Sequence, residues 1–142
     1  MRVVLDTVVF VRALLNPLSA CGRVLFEHTD RLQLVLSQPI LVEVLEVLQR
    51  PELTRRFSTL ADRDPLRVLD ILAAASVVTP SPVAYGSRDP SDDKFLATAA
   101  AAGATYLVSM DRDLLDLREY GSTRIVTCLE LAALLEANDP PP

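Results

Sequence analysis

The stretch Arg2-Val3-Val4-Leu5-Asp6 decides the fold, because a short β-branched run ends on a carboxylate. Such a run predicts a buried strand. The run Tyr106-Leu107-Val108 repeats the pattern, and Asp111 follows it closely. If both runs are parallel strands of one sheet, their carboxylates meet at one edge. Carboxylates repel at close range, so a cluster of them indicates a site for a divalent cation.

Two further acidic residues belong to the same pattern. Glu43 comes a turn or two of helix after the apolar run 34–37, and Asp93 opens the Ala-rich stretch 94–102. Each acid alone has an ordinary explanation, since carboxylates also cap helix N-termini and remain solvated on helices. Functional crevices of open α/β sheets lie beyond the carboxyl ends of the strands. The joint placement of all four at that edge therefore favours a metal site.

Strand and helix patterns alternate along most of the chain, with short links. The predicted strands are 2–6, 33–37, 76–79, 106–108 and 125–126, and helices fill most of the intervals. This alternation predicts a parallel sheet with right-handed crossovers. We expect an α/β fold, a three-layer α/β/α sandwich with a central parallel sheet of four to five strands. It forms one domain over residues 1–137, and 138–142 is a frayed tail.

Composition sets limits on the class of protein. Half of the 142 residues are hydrophobic, yet no apolar run approaches the roughly 20 residues that span a bilayer. We expect a soluble, cytoplasmic protein with no membrane partner. Cys21 and Cys128 lack any metal-like spacing and are expected to be small apolar residues in a reducing compartment. The single histidine, His28, makes Ser–His–Asp and Cys–His mechanisms poor candidates.

The charge balance leaves a nucleic-acid partner open. The net charge is −5, but without the four clustered acids it is −1. Thirteen of the fourteen cationic side chains are arginine, and Lys94 is the only lysine. Arginine makes bidentate phosphate contacts. A GC-rich genome or thermal adaptation would explain the same bias, so the arginine content decides nothing by itself.

Four segments carry a resemblance to a known family. They are 5–7 (LDT), 37–43 (SQPILVE), 89–100 (DPSDDKFLATAA) and 106–115 (YLVSMDRDLL). Their order and spacing resemble the motifs of PIN-domain proteins, over nearly the whole chain. The resemblance is to the PIN branch of toxin components of toxin–antitoxin systems, related to the VapC-like toxins. It implies a nuclease that depends on Mg²⁺ or Mn²⁺ and hydrolyses RNA.

The resemblance also implies roles for particular residues. Asp93 is preferred to Asp92 because the family pattern of an acid, two variable residues, an apolar residue and Ala matches 93–97. Val8 departs from the Asn or Ser that often stands there, and this removes a polar contact near the first acid. The implied metal-binding and catalytic set is Asp6, Glu43, Asp93 and Asp111, supported by Thr7, Ser109 and Asp113.

The leading hypothesis is a metal-dependent endoribonuclease, the toxin of a type II toxin–antitoxin pair, which leaves a 5′-phosphate. The family implies an RNA substrate, a cognate antitoxin protein and a homodimer. Candidate phosphate contacts are Arg88, Arg112, Arg12 and Lys94.

Two other readings of the sequence remain. The alternative is a catalytically weak or inactive PIN-like module that binds RNA or protein, and Val8 is its main support. A receiver-like or phosphatase-like domain with Asp6 as phosphoacceptor ranks last. Such domains usually need a late lysine near the acids, and none follows Lys94.

Overall fold

A central six-stranded sheet organises the computed structural model, which describes residues 1–57, 63–83 and 86–138. Across the sheet the order is β3-β2-β1-β4-β6-β5, and only the β5–β6 pairing is antiparallel. This confirms the predicted α/β class, with six strands instead of four to five. The strands are β1 (Arg2–Leu5), β2 (Gln33–Leu36), β3 (Ser76–Val77), β4 (Tyr106–Val108), β5 (Glu119–Tyr120) and β6 (Thr123–Val126).

Strand β1 lies in the middle of the sheet, between β2 and β4. Its residues Val3, Val4 and Leu5 are buried, as expected for a parallel strand covered on both faces. Strand β5 is the element that the sequence did not predict. It is only two residues long and pairs with β6 through a tight turn in which Gly121 has φ +58°. Two residues are too few to display an alternating pattern.

Helices connect the strands and cover the sheet. They are α1 (Thr7–Leu15), α2 (Ala20–Gly22), α3 (Gln38–Leu48), α4 (Pro51–Phe57), α5 (Arg63–Ala74), α6 (Asp93–Ala102), α7 (Arg112–Leu115) and α8 (Cys128–Ala137). Helix α2 continues as a π-helical turn at Arg23–Glu27, and a 3₁₀ turn at Pro90–Asp92 leads into α6. Gly103 ends α6 with φ +58°, a left-handed conformation that glycine adopts without a Cβ clash.

Helix α5 agrees only in part with the core positions that its sequence predicts. The sequence predicts four core positions in this helix, at Leu66, Leu69, Ile71 and Leu72. Leu72 is buried and Ile71 packs against the core, yet Leu66 and Leu69 are 61% and 47% exposed. Val68 and Leu72, one helical turn apart, are the buried residues. The prediction for Leu66 and Leu69 was therefore wrong, because the buried face of this helix runs through Val68 and Leu72.

The two cysteines form a disulfide that joins α2 to the first residue of α8. Cys21 and Cys128 are 107 residues apart in sequence, and their Cα atoms are 5.1 Å apart. The expectation of two separate apolar side chains was therefore wrong. An ion pair reinforces the link, since Arg23 Nε lies 2.9 Å from Glu136 Oε1. Both contacts arise from the tertiary fold, which cysteine spacing alone does not reveal.

No single helix among the described residues is long and apolar enough to cross a membrane. Segments Thr7–Leu15 and Ala20–Glu27 meet that criterion only as a pair, by length and composition, and are bent by 107°. Of the predicted tail 138–142, residues 139–142 lie outside the described residues.

Candidate metal centre

Asp6 stands at the carboxyl end of β1 and is 5% exposed. It is the N-cap of α1, and its Oδ1 accepts a hydrogen bond from the Val8 amide at 3.3 Å. Its Oδ2 accepts one from Ser109 Oγ at 2.8 Å. Burial raises the pKa of Asp6 above its usual range, against the lowering effect of these two hydrogen bonds. The carboxylate is thus fixed in position and short of compensating positive charge.

Ser109 connects the first acid to the last. It follows β4 directly, is fully buried, and accepts a hydrogen bond from the Asp111 amide at 2.9 Å while donating to Asp6. Asp111 caps α7, where its Oδ1 accepts from the Asp113 amide at 2.9 Å. Strands β1 and β4 are neighbours in parallel, so their ends bring Asp6 and Asp111 to the same edge.

Glu43 reaches this edge from α3. Thr7 Oγ1 donates a hydrogen bond to its Oε2, and Lys94 Nζ lies 3.0 Å from its Oε1. Lys94 also donates to the Ser91 carbonyl at 2.6 Å. Helices α1 and α6 therefore hold the Glu43 carboxylate from two sides.

The third acid in the cluster is Asp92, and the predicted residue, Asp93, points elsewhere. Asp92 is 8% exposed, and its Oδ2 is buried without a hydrogen-bond partner. Asp93 Oδ1 instead accepts from the Ser87 amide at 2.9 Å, in the loop before α6. A Cβ at Gly86 would lie 2.6 Å from that same oxygen, so the loop closes tightly on Asp93. The structure thus brings Asp92 to Asp6 and Asp111 where the motif comparison indicated Asp93.

The helical pattern of α6 carries a signal that distinguishes the two neighbours. Asp92 is followed at i+3, i+4 and i+7 by Phe95, Leu96 and Ala99, which are all buried. These spacings define one face of a helix. Adjacent residues of an α-helix point about 100° apart, so Asp93 turns off this face.

The four carboxylates of Asp6, Glu43, Asp92 and Asp111 line one cavity of about 480 Å³. We call their side of it the acidic floor. Burial, followed by the charge of Asp111 and a hydrogen bond with it, raises the pKa of Asp92 to about 7. Asp92 also belongs to a second group of acids, because single oxygens of Asp89, Asp92 and Asp113 lie within 4.8 Å of one another.

This donor set fits Mg²⁺ or Mn²⁺. Every donor is a carboxylate oxygen, the ligand that hard divalent cations prefer. Burial raises the pKa values of Asp6 and Asp92, and neighbouring carboxylates raise them further. A bound cation would offset both effects, and the unpartnered Asp92 oxygen is a free ligand atom for it.

The predicted phosphate contacts are distributed unevenly around the acids. Lys94 lies at the acidic floor through its ion pair with Glu43. Arg88 Nε lies 3.0 Å from Asp113 Oδ1, and Arg88 also pairs with Asp116. Arg112 lines a neighbouring cavity between α7 and β6. Arg12 lines another cavity, beside the disulfide, and the structure does not bring it to the acidic floor.

Comparison with known proteins assigns the family. A family model described as the PIN domain matches residues 2–113, most of the chain. The chain belongs to the PIN-domain family. An uncharacterized protein of Methanocaldococcus jannaschii is 31% identical over an alignment of 125 residues, and the match covers 83% of this chain and 76% of the relative.

A solved structure shares the PIN-domain fold. It is a chain from the crystal structure of VapBC2 of Rickettsia felis, bound to a DNA fragment from the VapBC2 promoter. The TM-score is 0.57 at 13% identity, and the match covers 89% of this chain and 98% of that one. At this identity the likeness is one of fold.

Proposed function

We propose that this PIN-domain chain is a Mg²⁺- or Mn²⁺-dependent endoribonuclease that acts in the cytoplasm as the toxin of a type II toxin–antitoxin pair. The observation that carries the proposal is the convergence of Asp6, Glu43, Asp92 and Asp111 on one cavity at the carboxyl edge of the parallel sheet. We assign to Asp92 the role that the motif comparison gave to Asp93, and the hydrogen bond from the Ser87 amide to Asp93 supports this assignment.

The side chains divide the work at this site. Asp6 and Asp111 are fixed by Ser109, Glu43 is fixed by Thr7 and Lys94, and the free oxygen of Asp92 is available to a cation. A bound Mg²⁺ or Mn²⁺ would activate a water and offset the charge on the scissile phosphate. Fixed carboxylates lower the reorganisation needed when the cation and the phosphate arrive.

The proposed partners are RNA, a cognate antitoxin protein and a second copy of the chain. The proposed phosphate contacts are Arg88, Arg112 and Lys94. Arg12 lines a different cavity, beside the disulfide, and is left out of this set. The fold likeness to a chain of VapBC2 supports the proposal of an antitoxin. Leu18 and Leu129, which are 81% and 65% exposed, give the chain apolar surface for a protein partner.

Cleavage of single-stranded RNA tests the proposal. We expect wild type to cut RNA in Mg²⁺ or Mn²⁺ and to be inactive in EDTA. Asp6→Asn and Asp111→Asn should abolish cleavage. Both variants should keep the circular dichroism spectrum of the wild type and a cooperative unfolding transition. Asp30→Asn is the matched control, since Asp30 is an exposed acid just before β2, at the opposite edge of the sheet. Equal cleavage by wild type and both site variants would sink the proposal.

A non-catalytic RNA- or protein-binding module is the second candidate. Val8 supports it, because a 43% exposed valine stands beside Asp6 where a polar group would help to orient a cation or a water. RNA binding in a gel-shift assay without cleavage in any divalent cation would favour this function over the first.

A further inference from the structure

The cavity that contains the acidic floor has a second, chemically different side. Five apolar side chains form it, and we call them the apolar wall. They come from four helices, α1, α3, α4 and α6, and are Val8, Val11, Val47, Leu53 and Phe95. Among the residues that the structure describes, the other lining residues are Thr7, Arg50 and Glu52.

The apolar wall is open to solvent at Val8, which is 43% exposed. Moving apolar surface out of water is favourable, so a wall of this kind is suited to the apolar part of a ligand. A cation held by the four carboxylates would attract an anionic part of the same ligand. Phe95 is 2% exposed and offers little of its ring face. Contact with the wall is therefore mainly aliphatic.

A single nucleotide has the same two-part character. Its phosphate is anionic, and one ribose away its base presents two flat faces of low polarity. The cavity holds about 480 Å³, within the range of about 300–1,000 Å³ that encloses small ligands. That volume suits one nucleotide, whereas a base pair inside a duplex keeps its faces covered by its neighbours.

We infer that the apolar wall is a pocket for one unstacked base of the RNA, next to the phosphate that the acidic floor receives. The inference rests on the proposed nuclease function. It specifies a substrate that is single-stranded or looped at the cut. Because the wall is aliphatic, it should bind the four bases with similar strength. An abasic nucleotide should bind clearly more weakly than any of them.

The first experiment removes the base and leaves the backbone intact. A short single-stranded RNA with a mapped cut is remade with one abasic nucleotide at each position in turn, and kcat and KM are measured in Mn²⁺. We expect one position beside the cut to raise KM by about tenfold with kcat little changed, because the contact is made before and during the reaction. Other positions should change KM by less than about threefold.

A second readout does not depend on turnover. Asp111→Asn, which is expected not to cleave, is titrated with the intact and the abasic RNA by fluorescence anisotropy. The same abasic position should weaken binding by about tenfold. Equal binding of the two RNAs would contradict the inference.

Two exposed valines make a matched pair of variants. Val8→Ser makes the wall less apolar and should reduce the effect of the abasic nucleotide on KM. The reason is that the altered wall contributes less to binding the base, so removing the base costs less binding free energy. Val42→Ser is the control, since Val42 is 47% exposed on α3 and does not line the cavity. It should leave the abasic effect intact.

The outcomes separate the two proposals. Cleavage by wild type with one abasic-sensitive position supports both. If wild type cleaves the RNA but no abasic position changes KM more than the others, the base pocket is overturned and the nuclease function stands. The apolar wall would then be a surface for a protein partner. Absence of cleavage in every divalent cation overturns the nuclease function and the base pocket with it.

Discussion

At the scale of a single residue, the hydroxyl of Ser109 fixes the positions of Asp6 and Asp111 relative to each other. It donates to Asp6 Oδ2 at 2.8 Å and accepts from the Asp111 amide at 2.9 Å. A hydroxyl is the smallest side-chain group that does both at once. The distance between the first and the last acid therefore depends on one buried oxygen.

Ser109→Ala removes that oxygen. We expect the free energy of unfolding to fall by about 1–3 kcal/mol, because Asp6 loses a buried hydrogen bond. We also expect Mn²⁺ to bind about 10–100-fold more weakly, since the groups that orient ligands tune affinity. Isothermal titration calorimetry measures the second effect. Ser109→Thr, which keeps the oxygen, is the control, and unchanged Mn²⁺ affinity in Ser109→Ala would refute the role given to it.

Asp92 makes the stability of the metal-free protein depend on pH. Its pKa is raised from 3.8 to about 7 in the folded protein, so between those values the folded state binds more protons than the unfolded state. Stability should therefore fall as pH rises from about 4 to 7. Asp92→Asn removes this effect and should exceed wild type by up to about 2 kcal/mol at pH 8, with the difference vanishing near pH 4.

Urea unfolding across this pH range, in EDTA, gives the measurement. Asp93→Asn serves as the control because its carboxylate faces the Ser87 amide. If the stability of the wild type rises through the same pH range, the pKa of Asp92 is not raised in the folded protein.

Helix α6 sets which acid reaches the cavity, at the scale of an element. The 3₁₀ turn at Pro90–Asp92 comes before the helix, and Asp89 caps that turn by accepting from the Ser91 amide at 3.0 Å. Thr98 Oγ1 then fixes the rotation of α6 through a hydrogen bond of 2.7 Å with Ser37 Oγ, at the start of α3. These contacts turn Asp92 inward and Asp93 outward.

The elements also show what the sequence could and could not predict. The ends of β1 and β4 were readable, and with them the positions of Asp6 and Asp111, because short apolar runs ended by an acid mark buried strands. The choice between Asp92 and Asp93 depended on helix phase, which a motif of fixed spacing does not carry. The cysteine pair and the two-residue β5 depend on contacts between distant segments, and local patterns hold no trace of them.

The link between α2 and α8 gives a prediction about stability. The Cys21–Cys128 disulfide closes a loop of 107 residues, so it restricts the unfolded chain strongly. Reduction should lower the free energy of unfolding by about 2–4 kcal/mol. Urea unfolding with and without reductant tests this, and the double variant Cys21→Ser, Cys128→Ser should not respond to reductant. A wild type with the same transition midpoint in both conditions would contradict the disulfide.

Charge distribution is the feature that matters at the scale of the whole molecule. The chain has a net charge of −5, and four of its acids meet at one sheet edge. An anionic polymer is repelled by that edge until a cation is bound, because like charges in a partly buried site are weakly screened. Cation binding is therefore expected to come before RNA binding.

The most direct measurement of the central claim is a Mn²⁺ titration of the metal-free protein by isothermal calorimetry. Wild type, Asp92→Asn and Asp93→Asn are compared at one pH. The account predicts saturable Mn²⁺ binding by wild type, retained binding by Asp93→Asn and binding weakened at least about tenfold by Asp92→Asn. Failure of wild type to bind Mn²⁺, or loss of binding in Asp93→Asn with Asp92→Asn unaffected, would contradict it.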